Sequence, residues 1–245
     1  MIAGAAGLAA CSAGQSATAT AEAITLAASG AGNPTLALGP GGDASYVVWA
    51  AAEPGDSGAI DIYLARASAA GEPGEPVRVN DVPGEGTLHE SAPPQVAAGP
   101  GGEVYVAWER TYPVPGRRFP ASDLRFARST DGGRSFEPAI FVNDDAGGLP
   151  ATHSFHTMAV GGDGTIYVSW IDTRAKDQAR AAQAGHPPAH VHAAAGQGDP
   201  HAGHGGDADA GLPGSELWIA RSTDGGRSFS PGVVVDHDIC PCCRT

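Results

Sequence analysis

Ser129-Thr130-Asp131-Gly132-Gly133-Arg134-Ser135-Phe136 occurs twice in this chain, returning letter for letter as Ser222 to Phe229. An identity of that length within one chain is an internal repeat, and a repeat decides architecture before any single residue does. The stretch has the chemistry of a hairpin corner. Its Asp offers a side-chain acceptor to nearby backbone N–H groups, and the two Gly that follow are free to take positive φ. The Phe three residues beyond the second Gly can fold back and plug the gap beside the turn.

Working outward from the two copies, three units of one design emerge. The first, about 33–81, holds Thr35-Leu36-Ala37-Leu38, a Gly-Pro-Gly-Gly turn at 39–42, Tyr46-Val47-Val48-Trp49, Ile62-Tyr63-Leu64-Ala65-Arg66, a degenerate corner at 67–74 and Pro76-Val77-Arg78-Val79. The second, about 90–145, repeats the order with Gln95 to Ala98, Gly-Pro-Gly-Gly at 99–102, Val104 to Trp108, Leu124 to Arg128, the first corner and Ala139 to Val142. The third, about 153–236, gives Thr157 to Val160, Ile166 to Trp170, a long insertion, Leu217 to Arg221, the second corner and Val233 to Val235. Each unit offers four short β-rich segments between turn signals. The aligned Trp49, Trp108 and Trp170 stand 59 and 62 residues apart. Four antiparallel strands at that spacing make a propeller blade with long loops. The repeated Tyr and Trp are most simply packing between blades.

The repeated octapeptide resembles the Asp-box, or BNR repeat, of sialidase-like β-propellers, in which Ser/Thr-x-Asp-x-Gly-x-x-Trp/Phe forms a structural turn away from the active face. The matching residues are Ser129, Asp131, Gly133 and Phe136, then Ser222, Asp224, Gly226 and Phe229. The resemblance implies an all-β, sialidase-like β-propeller over 33–245, with about three four-stranded blades present and the start of a fourth at 240–245. Propellers of that family have six blades, so the expectation is a fragment of a six-bladed ring. A chain completed by a partner and a small open solenoid are the alternatives.

The composition narrows the partners. The formal net charge of −13 argues against a nucleic-acid backbone as partner. With 36 Gly and 20 Pro, turns and loops are frequent. At the N-terminus, Leu8-Ala9-Ala10-Cys11 fits a bacterial lipobox, making 1–11 the end of a lipoprotein signal, with Cys11 the lipidated residue, and 12–32 a flexible tether. The apolar run before Cys11 is too short to span a bilayer and lacks a basic n-region. An ordinary secretory signal and a merely Ala-rich terminus are the plainer readings. The lipobox places the protein on the bacterial cell envelope, periplasmic or extracellular, held to the membrane only through a lipid.

In a blade whose strands run A to D from inside outward, the Asp-boxes are C–D turns. The opposite face is built from B–C loops (about 50–60, 109–122 and 171–215) and blade connections (about 81–93, 144–156 and 236–243). Those segments hold every one of the nine His and the three Cys beyond the lipobox. Imidazole and thiolate are ligands for copper or zinc, so His153, His156, His237, Cys240, Cys242 and Cys243 form a candidate metal set at the channel mouth. Three readings of the Cys cluster stand: half of a disulfide network, a soft-metal site, or a redox-active thiol. The tract with His186, His190, His192, His201 and His204 is weak support for a defined site, because such tracts bind metal loosely.

The family resemblance implies exo-α-sialidase-type glycoside hydrolysis, with three Arg on the substrate carboxylate, a Tyr/Glu nucleophile pair and an Asp acid/base. The family's Arg-Ile-Pro motif is absent, and Arg117-Arg118-Phe119-Pro120 is a superficial echo. Glu90, Arg110, Tyr112, Arg118, Asp172 and Arg174 lie on the correct face as catalytic candidates, as do Glu109 and other loop residues. None aligns to a family role, and each reads more simply as a solvated loop residue than as a catalyst. Two non-catalytic alternatives are a propeller that binds copper or zinc through His and Cys, and a scaffold that binds a glycan or a protein.

Overall fold

The computed structural model describes residues 30–53, 56–68, 71–184 and 211–239. Cys11, the His tract at 186–204 and Cys240, Cys242 and Cys243 lie outside the described residues. Among the described residues twelve strands form three four-stranded antiparallel sheets, each paired in simple chain order. The first sheet comprises β1 (Ala31–Leu38), β2 (Ala44–Glu53), β3 (Asp56–Ser68) and β4 (Val77–Arg78). The second comprises β5 (Gln95–Ala98), β6 (Val104–Tyr112), β7 (Ala121–Ser129) and β8 (Ile140–Phe141). The third comprises β9 (His153–Val160), β10 (Ile166–Asp172), β11 (Ser215–Ser222) and β12 (Val233–Ile239), with a helix, α1 (Arg174–Ala184), inserted between β10 and β11. The innermost strands touch in sequence, β1 against β5 and β5 against β9. These are propeller-like blades sharing an inner edge, as the repeat spacing led one to expect.

Alternation of side chains across each strand gives every blade two apolar faces. Tyr46, Val48, Ala50, Ile62, Leu64 and Val79 of the first blade meet Val104, Val106, Trp108 and Ala127 of the second in one core. Tyr105, Ala107, Leu124, Phe126 and Val142 of the second meet Ile166, Val168, Trp170 and Ala220 of the third in another. Tyr46, Tyr105, Trp108 and Trp170 therefore fill the two joints, and within the third blade Trp170 stacks on Trp218 at 6.4 Å.

The Asp-boxes follow β7 and β11, as C–D turns should. In the first, Ser129 Oγ donates to Asp131 Oδ1 at 2.7 Å and accepts from the Gly133 N–H at 2.8 Å. Asp131 Oδ1 accepts from the backbone N–H groups of Arg134 and Ser135, and Oδ2 from the Ser135 hydroxyl at 2.6 Å. These bonds hold the Asp131 carboxyl well below its usual range, the Ser135 and Ser129 hydroxyls contributing most. Asp224 makes the same contacts in the second copy, with the same effect on its carboxyl. Gly226 sits at φ +83° with its missing Cβ position 2.7 Å from Phe126 of the preceding blade. This glycine thus serves both the turn and the joint, and Phe229 completes the joint edge-on to Phe126 at 5.0 Å.

Three expectations change on the opposite face. The first B–C loop is shorter than expected, because β2 runs to Glu53 and β3 resumes at Asp56. The second is an arch over 113–120, so Glu109, Arg110 and Tyr112 belong to β6. The third opens with α1 rather than irregular chain. Its residues, Arg174-Ala175-Lys176-Asp177-Gln178-Ala179-Arg180, are nearly all strong helix formers. Thr173 at its start donates its hydroxyl to Asp177 Oδ2 at 2.6 Å while its carbonyl accepts the Asp177 N–H.

Candidate functional site

A run of ionic contacts crosses the loop face from the first blade to the third. Arg110 donates to Glu85 Oε1 at 3.1 Å and to Asp123 Oδ2 at 2.8 Å, and Arg125 donates to Glu85 Oε2 at 3.2 Å. Asn143 bridges onward, its amide donating to Asp123 at 3.1 Å and to Asp145 at 2.9 Å. His153 Nε2 then lies between Asp145 Oδ1 (3.0 Å) and Asp172 Oδ2 (3.3 Å). Arg174 closes the run, with Nε 2.8 Å from Asp172 Oδ2 and Nη1 2.7 Å from Asp144 Oδ1. Aromatic rings back the cations: Phe141 lies 4.3 Å from the Arg125 guanidinium carbon and Trp218 lies 3.9 Å from that of Arg174.

The environment fixes the charge states. His153 is 2 % exposed, which alone would depress its imidazolium, but hydrogen bonds and charge from Asp145 and Asp172 outweigh burial and lift its pKa to about 10. Its Nδ1 donates to the Ser122 carbonyl, so both ring nitrogens face acceptors and the cation is the fitting form. Burial would raise the Asp172 carboxyl; His153, Arg174 and the Trp170 indole N–H outweigh it and hold the group well below its usual range. Asp145 is lowered likewise, chiefly by His153 against its own burial. Two neighbours behave in the opposite way. Burial pushes Glu109 up to about 7, with Ser122 and His153 pulling weakly down. Burial pushes His156 down to about 4, opposed by the Ala107 carbonyl.

The sequence-selected residues separate into groups. Asp172 and Arg174 come together, joined by His153. Arg110 and Tyr112 form a second pair, the guanidinium carbon 5.4 Å from the ring centre. Glu90 is exposed in a turn, and Arg118 is exposed over the Phe119 ring at 5.2 Å. The proposed metal ligands do not converge among the described residues. His156 Nε2 faces the Ala107 carbonyl at 3.3 Å, while His237 is exposed and bonded to Glu216 Oε1 at 2.7 Å. Asp145, His153 and Asp172 do bring three ligand atoms within 4.8 Å of one another, but the Arg174 guanidinium already lies against both carboxylates.

A one-residue β-bulge places both His153 and His156 inside. Ser169 pairs with Thr157 but Ile171 with Ser154, so β9 carries one extra residue, and Phe155 turns to φ 53°. Residues three apart on a regular strand face opposite sides; the bulge restores one side. The repeated clasps escaped sequence reading. Asn80 accepts from the Ile62 N–H and donates to Asp61 at 2.6 Å, and Asn143 repeats this with Leu124 and Asp123. The tripeptide Val-Asn-Asp at 79–81 and 142–144 was the available signal.

Beside this run, in the second B–C arch, lies a cavity of about 260 Å³ lined by Thr111, Tyr112, Pro113, Val114, Arg117, Arg118 and Pro120. Arg117 is committed to the Pro150 carbonyl (2.9 Å) and to Asp177 of α1 (3.2 Å). Arg118 makes no ion pair among the described residues. Burial raises the Tyr112 phenol, with Asp123 adding to it, so its OH is neutral at physiological pH.

No protein-family model matches the chain, and no curated protein sequence matches it. Among solved structures it is similar to the Hadza microbial sialidase Hz136, at 14% identity over 82% of this chain and 36% of that one, with a TM-score of 0.47. It is also similar to an ulvan lyase from a new polysaccharide lyase family, bound to a glucuronate and rhamnose-3-sulfate saccharide, at 13% identity over 84% of this chain and 39% of that one, TM-score 0.44. A protein of unknown function from Dyadobacter fermentans aligns at 10% identity over 84% and 69% of the two chains, TM-score 0.33. The similarity to sialidase-like propellers is weak and is one of fold. The chain spans 36% and 39% of the length of the first two.

Proposed function

We propose that this protein is a carbohydrate-directed, sialidase-like propeller that holds an acidic glycan on its loop face, in the arch over 113–120. The observation that carries this reading is the cavity beside Tyr112 and Arg118. It offers an exposed guanidinium for a carboxylate and a neutral phenol for a sugar hydroxyl, on a chain whose net charge is −13. At about 260 Å³ it lies just below the roughly 300–1,000 Å³ of drug-sized sites, a scale suited to a single sugar unit.

Recognition is better supported than cleavage. Glycoside hydrolysis in the sialidase manner calls for a guanidinium cluster on the substrate and accessible acidic groups at the reacting bond. Here Arg110 and Arg174 are engaged by carboxylates, Asp172 is fully enclosed, and Glu109, raised to about 7, is buried. Exo-α-sialidase-type hydrolysis is therefore the finer and second claim. Titration with 3′-sialyllactose and an oligogalacturonate, with lactose as control, tests the first claim: the acidic saccharides bind, lactose does not, and Arg118→Ala weakens binding at least tenfold. Equal binding by Arg118→Ala would contradict it. Release of a fluorogenic aglycone from a sialoside tests the second.

The metal reading retains one favourable observation, the convergence of Asp145, His153 and Asp172, against a guanidinium already seated there. Copper or zinc binding that is lost in His153→Ala would favour it. Attachment to the bacterial envelope through Cys11 is the remaining proposal, and it predicts that an alkyne fatty acid labels the chain in cells but not its Cys11→Ser variant.

A further inference from the structure

All three blades carry an Arg at one strand position: Arg66 in β3, Arg128 in β7 and Arg221 in β11. The carbonyl of each accepts the N–H of a residue just beyond the corner, Gly74, Glu137 and Ser230 respectively, so backbone bonds fix the equivalence. In the second blade the guanidinium is fully committed. Arg128 takes the Glu137 carboxylate on two prongs, Nε at 2.8 Å and Nη2 at 2.7 Å. Its Nη1 donates to the Gly225 carbonyl, in the Asp-box of the third blade, at 3.2 Å.

In the first blade neither bond has a counterpart. Gly74 stands where Glu137 stands and brings no carboxylate, and among the described residues Arg66 forms no ion pair and its Nε–H is buried without an acceptor. At that place the joint opens into a cavity of about 500 Å³, within the roughly 300–1,000 Å³ of small-molecule sites. Arg66, Glu72, Gly74 and Glu75 line it from the first blade, and Gly133 and Arg134 from the Asp-box of the second. Arg134 has its Nη1 on the Asp131 carbonyl at 2.7 Å. Glu72 and Glu75 are exposed and form no ion pair among the described residues.

We propose that this cavity, on the face opposite the arch over 113–120, binds a small amino carboxylate. The ligand carboxylate takes the place on Arg66 that Glu137 takes on Arg128, and its ammonium group lies against Glu72 and Glu75. The second blade is the template for the first contact, a two-pronged guanidinium–carboxylate pair. A turn of the Arg66 guanidinium into the cavity also gives its buried N–H an oxygen to meet. The two glutamates set the charge on the rest of the ligand, because they repel a second anion and attract a cation. The acidic saccharides expected at the arch carry no ammonium group, so the two sites select different ligands.

Calorimetric titration of the 245-residue chain with glycine, β-alanine, γ-aminobutyrate and 5-aminovalerate tests this, with acetate as a carboxylate that lacks the amine. The expected result is one site per chain for a member of the series, at least tenfold tighter than acetate. Arg66→Gln should weaken that binding at least tenfold, and Glu72→Gln with Glu75→Gln should erase the preference over acetate. Gly74→Glu restores the carboxylate of the second blade and should abolish binding by occupying Arg66 from within. Gly74 is not at positive φ and its added Cβ lies 3.2 Å from the Arg66 carbonyl oxygen, so thermal unfolding checks that this variant is folded. Arg118→Ala should leave the affinity unchanged, which separates this site from the arch. No binding across the series would overturn the proposal, as would acetate binding as tightly as the amino acids, or binding untouched in folded Arg66→Gln and Gly74→Glu.

Discussion

The two faces of the blades are held by different chemistry. On the Asp-box face, two identical octapeptides make the same carboxylate bonds within their own eight residues, and each carboxylate serves nearby backbone N–H groups. On the loop face the B–C connections differ: two residues separate β2 from β3, an eight-residue arch joins β6 to β7, and α1 follows β10. There the carboxylates are engaged across elements far apart in sequence, as when Arg110 reaches Glu85 and Arg174 reaches Asp144. The Asp-box face repeats because it solves one local backbone problem; the loop face varies because its bonds are tertiary. Variation in a region the scaffold already holds rigid is where binding specificity can be built.

Substitutions should separate the two faces, and the largest effect belongs to the loop face. Asp172→Ala leaves the His153 imidazolium and the Arg174 guanidinium short of a buried counter-charge and is expected to cost about 3–5 kcal/mol in urea unfolding. A cost below that of an Asp-box carboxylate would break the comparison.

The next effect is one of pH. The Glu109 pKa is about 7 in the fold against 4.5 unperturbed, so the folded state binds more protons in that interval. Its contribution is whole below pH 4.5 and is lost as pH rises through 7. Glu109→Gln should therefore gain about 2–3 kcal/mol relative to wild type between pH 5 and pH 8. His156, lowered to about 4 from 6.5, works in the other direction, destabilising as pH falls through that interval. The contribution of His153 persists below pH 6.5 and is lost as pH rises through about 10. No such acid or base sensitivity is expected from an Asp131→Asn variant near neutrality.

On the Asp-box face, Gly226→Ala should cost about 1–3 kcal/mol, because a methyl group would meet the Phe126 ring at 2.7 Å from a backbone at positive φ. Gly133→Ala should cost less, since the nearest atom there is the end of the Leu64 side chain at 3.0 Å. Asp131→Ala removes bonds in an exposed turn and should cost about 1–2 kcal/mol. Differential scanning calorimetry of the three variants ranks them. Arg118→Ala should leave unfolding unchanged and affect binding alone.

What the sequence revealed follows the same division. The blades, the C–D position of both Asp-boxes and the packing of Tyr46, Tyr105, Trp108 and Trp170 between blades were legible, because they rest on local patterns that repeat. The helix at 174–184 was missed, although Thr173 and the Ala, Arg, Lys and Gln that follow it were readable as a helix start. The meeting of His153 with Asp145 and Asp172 was not legible. It depends on a bulge at Phe155, a residue with no intrinsic preference for φ 53°, on the pairing of His153 with Asp172 across β9 and β10, and on Asp145 from the connection that precedes β9. Asp172 and Arg174 were selected as candidate catalysts for their face, and the structure joins them to each other in an ion pair.

One pair of charge reversals tests most directly whether the loop face, and not the repeated face, meets the ligand. Arg118 and Arg134 are both exposed Arg residues, one in the arch over 113–120 and one in the first Asp-box. Arg118→Glu and Arg134→Glu would be titrated with the same acidic saccharide. The account predicts that Arg118→Glu abolishes binding while Arg134→Glu leaves the affinity within about twofold of wild type, a difference under about 0.5 kcal/mol. Loss of binding in Arg134→Glu with retention in Arg118→Glu would contradict it.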